Sequence, residues 1–110
     1  MTDKFYIKRS DTRPYLAVII KQGGSVYDLS DVSTVTFTMA DSDGNVKVNA
    51  QTAVVTDATS GKCEYRWAVG DTNVDEEYYY GEFFFTLDDA TTFTVPYDRS
   101  LIIFVGEDLD

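Results

Sequence analysis

The chain has 110 residues, the length of one domain, and 44% of them are hydrophobic, enough for a buried core. Its 19 acidic residues against 9 basic ones give a formal net charge of -10, which argues against nucleic acid or an anionic membrane as partner and favours a soluble particle. With one cysteine, Cys63, and no histidine, an internal disulfide and any Ser-His-Asp or Cys-His catalytic arrangement are excluded.

The opening "MTDKFYIKRSDTRPY" is charged throughout and resembles no signal peptide. No apolar run approaches the ~18 residues of a membrane span. Synthesis and folding in a cytoplasm are therefore expected. Within that opening, "FYIKR" (5–9) reads as a first strand. "PYLAVIIK" (14–21) is a second, with Pro14 at its start, where no ladder donor is needed. "VYDLS" (26–30) is short and half-extended. "STVTFTMA" (33–40) alternates, placing Val35, Phe37 and Met39 on one face. "DSDGN" (41–45) is a hairpin turn built on Asp43-Gly44. "VKVN" (46–49) and "AQTAVVTD" (50–57) follow as one bent strand. "KCEYRWA" (62–68) puts Cys63, Tyr65 and Trp67 on one face and Lys62, Glu64 and Arg66 on the other.

After a polar connection comes "EEYYYGEFFFTLDD" (76–89), with six aromatic residues in eight positions. "TFTVP" (92–96) returns, and "SLIIFV" (100–105) is the last strand. Apolar positions repeat with period two, not 3.6, so no helix is predicted. The expectation is one all-β domain over 1–110, a sandwich or barrel, with its core in about 5–105 and an acidic tail at 106–110.

The aromatic segment has two faces. Tyr79, Gly81, Phe83, Phe85 and Leu87 form a continuous core face. Gly81 marks a place where another side chain, Trp67, is expected to press close. The opposite face holds Tyr78, Tyr80, Glu82, Phe84 and Thr86, where a solvated strand would read polar. The last strand repeats the anomaly, with Leu101, Ile103 and Val105 on one face and Ile102 and Phe104 on the other. The second does too, with Tyr15 and Ile19 opposite Leu16, Val18 and Ile20. Only one face of each sheet in a sandwich is internal. The surplus, Tyr78, Tyr80, Phe84, Ile102 and Phe104, is either a set of cross-strand pairs on a solvated face or a protein–protein contact patch. Burying about 250 Å² of such a patch contributes on the order of 6 kcal/mol. The entropy of association alone consumes that, so further contacts or a multivalent assembly are implied.

Nothing points to catalysis, a cofactor or a metal. Cys63 alternates with core aromatics and reads as a small buried hydrophobe. Asp75 with Glu76 and Asp88 with Asp89 sit in turns. "DSDGN" places glycine at position 4 and valine at 6, unlike a calcium loop. "SDTRP" (10–14) and "GDT" (70–72) fold their side chains back on the local backbone.

In this order, "IKRSDTRPYLAVII", "VYDLSDVSTVTFTMADSDGNV", "VVTDATSGKCEYRWAVGDT" and "YYGEFFFTLDDATTFTVP" resemble the N-terminal domain of phage baseplate upper proteins, over roughly residues 5–105. The resemblance implies an immunoglobulin-like antiparallel β-sandwich without catalytic residues. It implies a structural virion protein, an adaptor attached to tail, baseplate or neck through other phage structural proteins, in several copies or as a homo-oligomer. A capsid decoration or head-fibre-base protein is the alternative, and a carbohydrate-binding adhesion module a third reading. Ser10 departs from the family, standing where glycine is usual. The chain also stops where the domain stops, so a free-standing module is expected.

Overall fold

The computed structural model describes residues 3–75, 77–96 and 98–107. Among these residues eleven strands form an all-β sandwich of the immunoglobulin-like kind: β1 (Asp3–Lys8), β2 (Leu16–Ile19), β3 (Lys21–Gln22), β4 (Ser25–Val26), β5 (Val32–Ala40), β6 (Val46–Thr52), β7 (Val54–Asp57), β8 (Lys62–Tyr65), β9 (Tyr78–Leu87), β10 (Thr92–Val95) and β11 (Leu101–Gly106). The larger sheet runs β1-β11-β9-β5-β6, with β10 also paired to β9. The smaller runs β2-β8-β7, and β3 with β4 makes a separate short ribbon. Strand pairing is antiparallel except between β1 and β11, which join opposite ends of the chain in parallel.

The core forms where the inward faces of the two sheets meet. From the larger sheet come Val35, Phe37, Met39, Tyr79, Phe83, Phe85, Leu101, Ile103 and Val105; from the smaller side come Leu16, Ile20, Cys63, Tyr65 and Trp67. Phe37 stacks on Tyr65 across the sandwich, ring centroids 4.7 Å apart, and meets Trp67 edge-on at 5.7 Å. Such ring pairs add about 0.5–1.5 kcal/mol each beyond their buried area. The period-two alternation thus assigns the inward faces of β5, β9 and β11 correctly, except that Leu87 at the end of β9 is only half-buried and outside the core.

Several local expectations change in detail. The 14–21 strand ends at Ile19, and the short β3 begins at Lys21. The 46–57 strand is bent so sharply that it changes sheets, β6 lying in the larger and β7 in the smaller, with Ala53 between. The Ala53 amide still donates to the Val35 carbonyl, 2.8 Å, so the crossover leaves it paired. The 62–68 strand stops at Tyr65; Trp67 lies beyond it, yet is buried and donates its indole N–H to the Pro14 carbonyl, 3.1 Å.

Gly81 does mark a close approach, but by different groups. A Cβ there would lie 2.7 Å from Ile103 Cδ1 and 2.8 Å from Phe37 Cε1. Trp67 packs on Phe37 instead of on Gly81 itself.

The acidic residues have a structural use. Asp28, Asp89 and Asp98 each accept the amide of the Ser or Thr two residues on, at 2.8, 3.0 and 3.1 Å. In "DSDGN", Asp41 accepts from the Asp43 and Asn45 amides, 3.0 and 2.9 Å. Side-chain hydrogen bonds from Ser30, Asn45 and Thr91, together with these amide bonds, hold the carboxyls of Asp28, Asp41 and Asp89 below the ordinary value of 3.8. The two Asp-Thr devices are not only local. Asp71 caps the Ala68 amide at 2.8 Å and accepts the Tyr65 hydroxyl, whereas Thr72 donates across the fold to the Asp11 carbonyl, 2.6 Å. Ser10, where glycine is usual in the resembled family, keeps a left-handed backbone with φ 71°.

Candidate interaction face

The outer face of the larger sheet is built by three neighbouring strands. On β1, Phe5 and Ile7 point inward, so Lys4, Tyr6 and Lys8 point out. On β11, Ile102 and Phe104 are outward and half-buried. On β9, Tyr78 and Tyr80 are outward. Register sets them side by side: Lys4, Ile102 and Tyr80 form one row, and Tyr6, Phe104 and Tyr78 the next.

The rings in these rows touch. Tyr6 stacks on Phe104 with centroids 4.9 Å apart and planes 12° from parallel. Phe104 meets Tyr78 at 6.3 Å, and Tyr78 meets Tyr80 edge-on at 5.8 Å. The Arg99 guanidinium lies 4.8 Å from the centre of the Tyr80 ring, which accounts for Tyr80 being only half exposed. Beside this end a hollow of about 240 Å³ opens between Tyr80, Arg99, Thr38 and Val46. Tyr6 is 64% exposed and Tyr78 44%, so the stripe presents ring surface to solvent.

Of the five residues expected from the sequence, Tyr78, Tyr80, Ile102 and Phe104 come together. Phe84 does not join them. It is 42% exposed but lies between Thr36 on β5 and Thr94 on β10, four residues along β9 from Tyr80, with Glu82 intervening. At ~3.4 Å per residue that is about 13 Å of separation. Tyr6, the most exposed ring of the stripe, was absent from the expected set. Alternation within "FYIKR" gives its outward direction, but only the parallel pairing of β1 with β11 places it on Phe104.

Elsewhere the chain offers little chemistry. Cys63 is buried, and burial, helped by the Glu64 charge, pushes its thiol up to about 12. Among the described residues no three His, Cys, Asp or Glu side chains converge as a metal site. Asp88 and Asp89 lie in the turn after β9, while Glu76 and the end of the acidic tail, 108–110, are outside the described residues. A cleft of about 1100 Å³ lies between the edges of β2 and β10, floored by Phe5, Leu16, Val18, Phe93 and Val95, and none of the candidate residues lines it.

No family model and no curated protein matches the chain. Among solved structures it is similar to the CopC from Methylosinus trichosporium OB3b, with 14% identity, a TM-score of 0.52, and coverage of 99% of this chain and 89% of that one. A likeness at this identity carries the sandwich fold alone. It also corrects the functional expectation. The same sandwich, matched over 99% of this chain, is that of CopC, so the ordered motifs behind the resemblance no longer point to a virion. The reading as a tail, baseplate or neck adaptor is withdrawn, and with it the head-decoration and host-adhesion alternatives.

Proposed function

We propose that the chain is a non-catalytic interaction module that docks on a partner protein through the outer face of its larger sheet. The observation that carries this is the continuous ring stripe Tyr6–Phe104–Tyr78–Tyr80, which lies on the side of the sheet away from the core. Two packed sheets already bury their facing sides, so these rings add nothing to the sandwich interior. Cross-strand pairing gives a surface ring about 0.2–1 kcal/mol. A protein partner would recover far more by removing the whole row from water, and aromatic residues are enriched at interface centres for this reason. The hollow beside Tyr80 offers a recess for one protruding side chain.

Site-specific photo-crosslinking tests the reading. A benzophenone side chain is placed at position 6 or 78, and separately at Val69, which is 95% exposed in the turn between β8 and β9 and outside the stripe. In the cells that make the protein, one discrete adduct is expected from 6 and 78 and none from 69. Equal diffuse labelling from all three positions would contradict docking at this face.

A further inference from the structure

Resting on the docking face just described, we infer that its partner presents carboxylates around an apolar residue, so that the segment bound is acidic. Three of the nine basic residues of a chain with net charge -10 stand on or beside the ring stripe. Lys4 and Lys8 flank Tyr6 on β1, and register puts Lys4 beside Ile102 and Lys8 beside Gly106. Arg99 covers Tyr80 and donates to the Ser42 carbonyl, 3.2 Å.

Neither lysine has an ion-pair partner among the described residues. The outward positions of β1, β11 and the start of β9 hold Lys4, Tyr6, Lys8, Ile102, Phe104, Tyr78 and Tyr80, with no acid among them. Acidic groups stand at the margins. Glu77 precedes Tyr78, and Glu82, which follows Tyr80 on β9, lines the hollow beside Tyr80 with Asp41 and Asp98, the last engaged with the Ser100 amide. In so acidic a molecule, a patch of rings edged by unpaired cations is a local reversal of sign.

That sign selects among occupants. A two-fold dimer through this face would bring one cation-edged patch against another, with no acid among its outward residues to pair with. A nucleic acid would meet the rings and cations but also the field of the whole particle. An acidic protein segment satisfies both features locally. Its carboxylates pair with the rim, and its apolar residue enters the ring row.

Two synthetic peptides serve as probes: one alternating Glu with Leu and Phe, and a counterpart with Lys replacing every Glu. Amide shifts of the ¹⁵N-labelled protein are followed on titration. The acidic peptide is expected to move β1, β11 and the start of β9, and to bind at least about tenfold more weakly when salt rises from about 50 to about 500 mM. The double variant Lys4→Glu/Lys8→Glu, folded by its amide spectrum, is expected to prefer the Lys peptide. Equal binding of the two peptides at the same face, unaffected by that variant, overturns the carboxylate inference and leaves the docking face standing. Tighter binding of oligothymidylate at the same residues overturns it in favour of single-stranded nucleic acid. Failure of both peptides, together with no adduct from positions 6 and 78, overturns both readings.

Discussion

Tyr6 and Phe104 lie face to face on the outside of the sheet, ring centroids 4.9 Å apart, although they come from opposite ends of the chain. The contact depends on the parallel pairing of β1 with β11 and lies outside the core. Replacing either ring with serine, as in Tyr6→Ser or Phe104→Ser, is expected to cost about 0.5–1.5 kcal/mol. The midpoint of urea unfolding should fall modestly with an unchanged slope, while the crosslinked adduct from position 78 disappears. A collapse of stability would instead make the rings core residues.

Gly81 is held free of a side chain by Ile103 and Phe37. Gly81→Ala brings a Cβ to 2.7 Å from Ile103 Cδ1 and 2.8 Å from Phe37 Cε1, both belonging to fully buried side chains. Overpacking of this kind costs about 1–3 kcal/mol. Adding Ile103→Val removes the nearer clash, so the double variant should lose less than the sum of the single losses in urea unfolding. Strict additivity would show that Ile103 is not the obstacle.

Ser10 holds a left-handed backbone at φ 71°, a region that costs a residue with a Cβ about 1–2 kcal/mol. The turn is kept by the Ser10 amide donating to the Thr72 carbonyl, 3.2 Å, and by Thr72 donating to the Asp11 carbonyl. Ser10→Gly is expected to raise stability by about 0.5–1 kcal/mol, measured as a higher thermal or urea midpoint. A lower midpoint would mean that the serine side chain contributes more than its backbone costs.

Burial raises the Cys63 thiol from 9.0 to about 12, and burial with the Glu77 and Asp75 charges raises the Tyr79 hydroxyl from 10.0 to about 12. The folded chain keeps protons here that the unfolded chain releases. Their contribution is therefore whole below about pH 9 and is lost as pH rises towards 12. Urea midpoints between about pH 8 and about pH 11 should fall with pH, and Cys63→Ala should flatten that fall. Native Cys63 should also resist iodoacetamide until denaturant is added.

Much of this was legible in the chain because strand alternation is local. "STVTFTMA" and "YYYGEFFFTL" state their inward faces residue by residue, and Phe37, Tyr79, Phe83 and Phe85 are all buried as that pattern requires. The outward direction of Tyr78, Tyr80, Ile102 and Phe104 follows from the same alternation. Which outward residues touch does not, because that depends on pairing between distant segments. Phe84 shares a face with Tyr80 but sits against β10, and Tyr6 meets Phe104 only through the β1–β11 pair. Gly81 announced a close approach, whereas the identity of its neighbours waited on the β5–β9 and β9–β11 pairings. Function was the least legible, since a sandwich of this topology constrains partners very little.

The docking face is tested most directly by hydroxyl-radical footprinting of the protein in extracts of the cells that make it, compared with the purified chain. Tyr6, Tyr78 and Phe104 should be protected in the extract and regain full reactivity on purification. Tyr15, on the smaller-sheet side beside Arg66, should react equally in both. Equal reactivity of all four residues in extract and in isolation would contradict an occupied outer face.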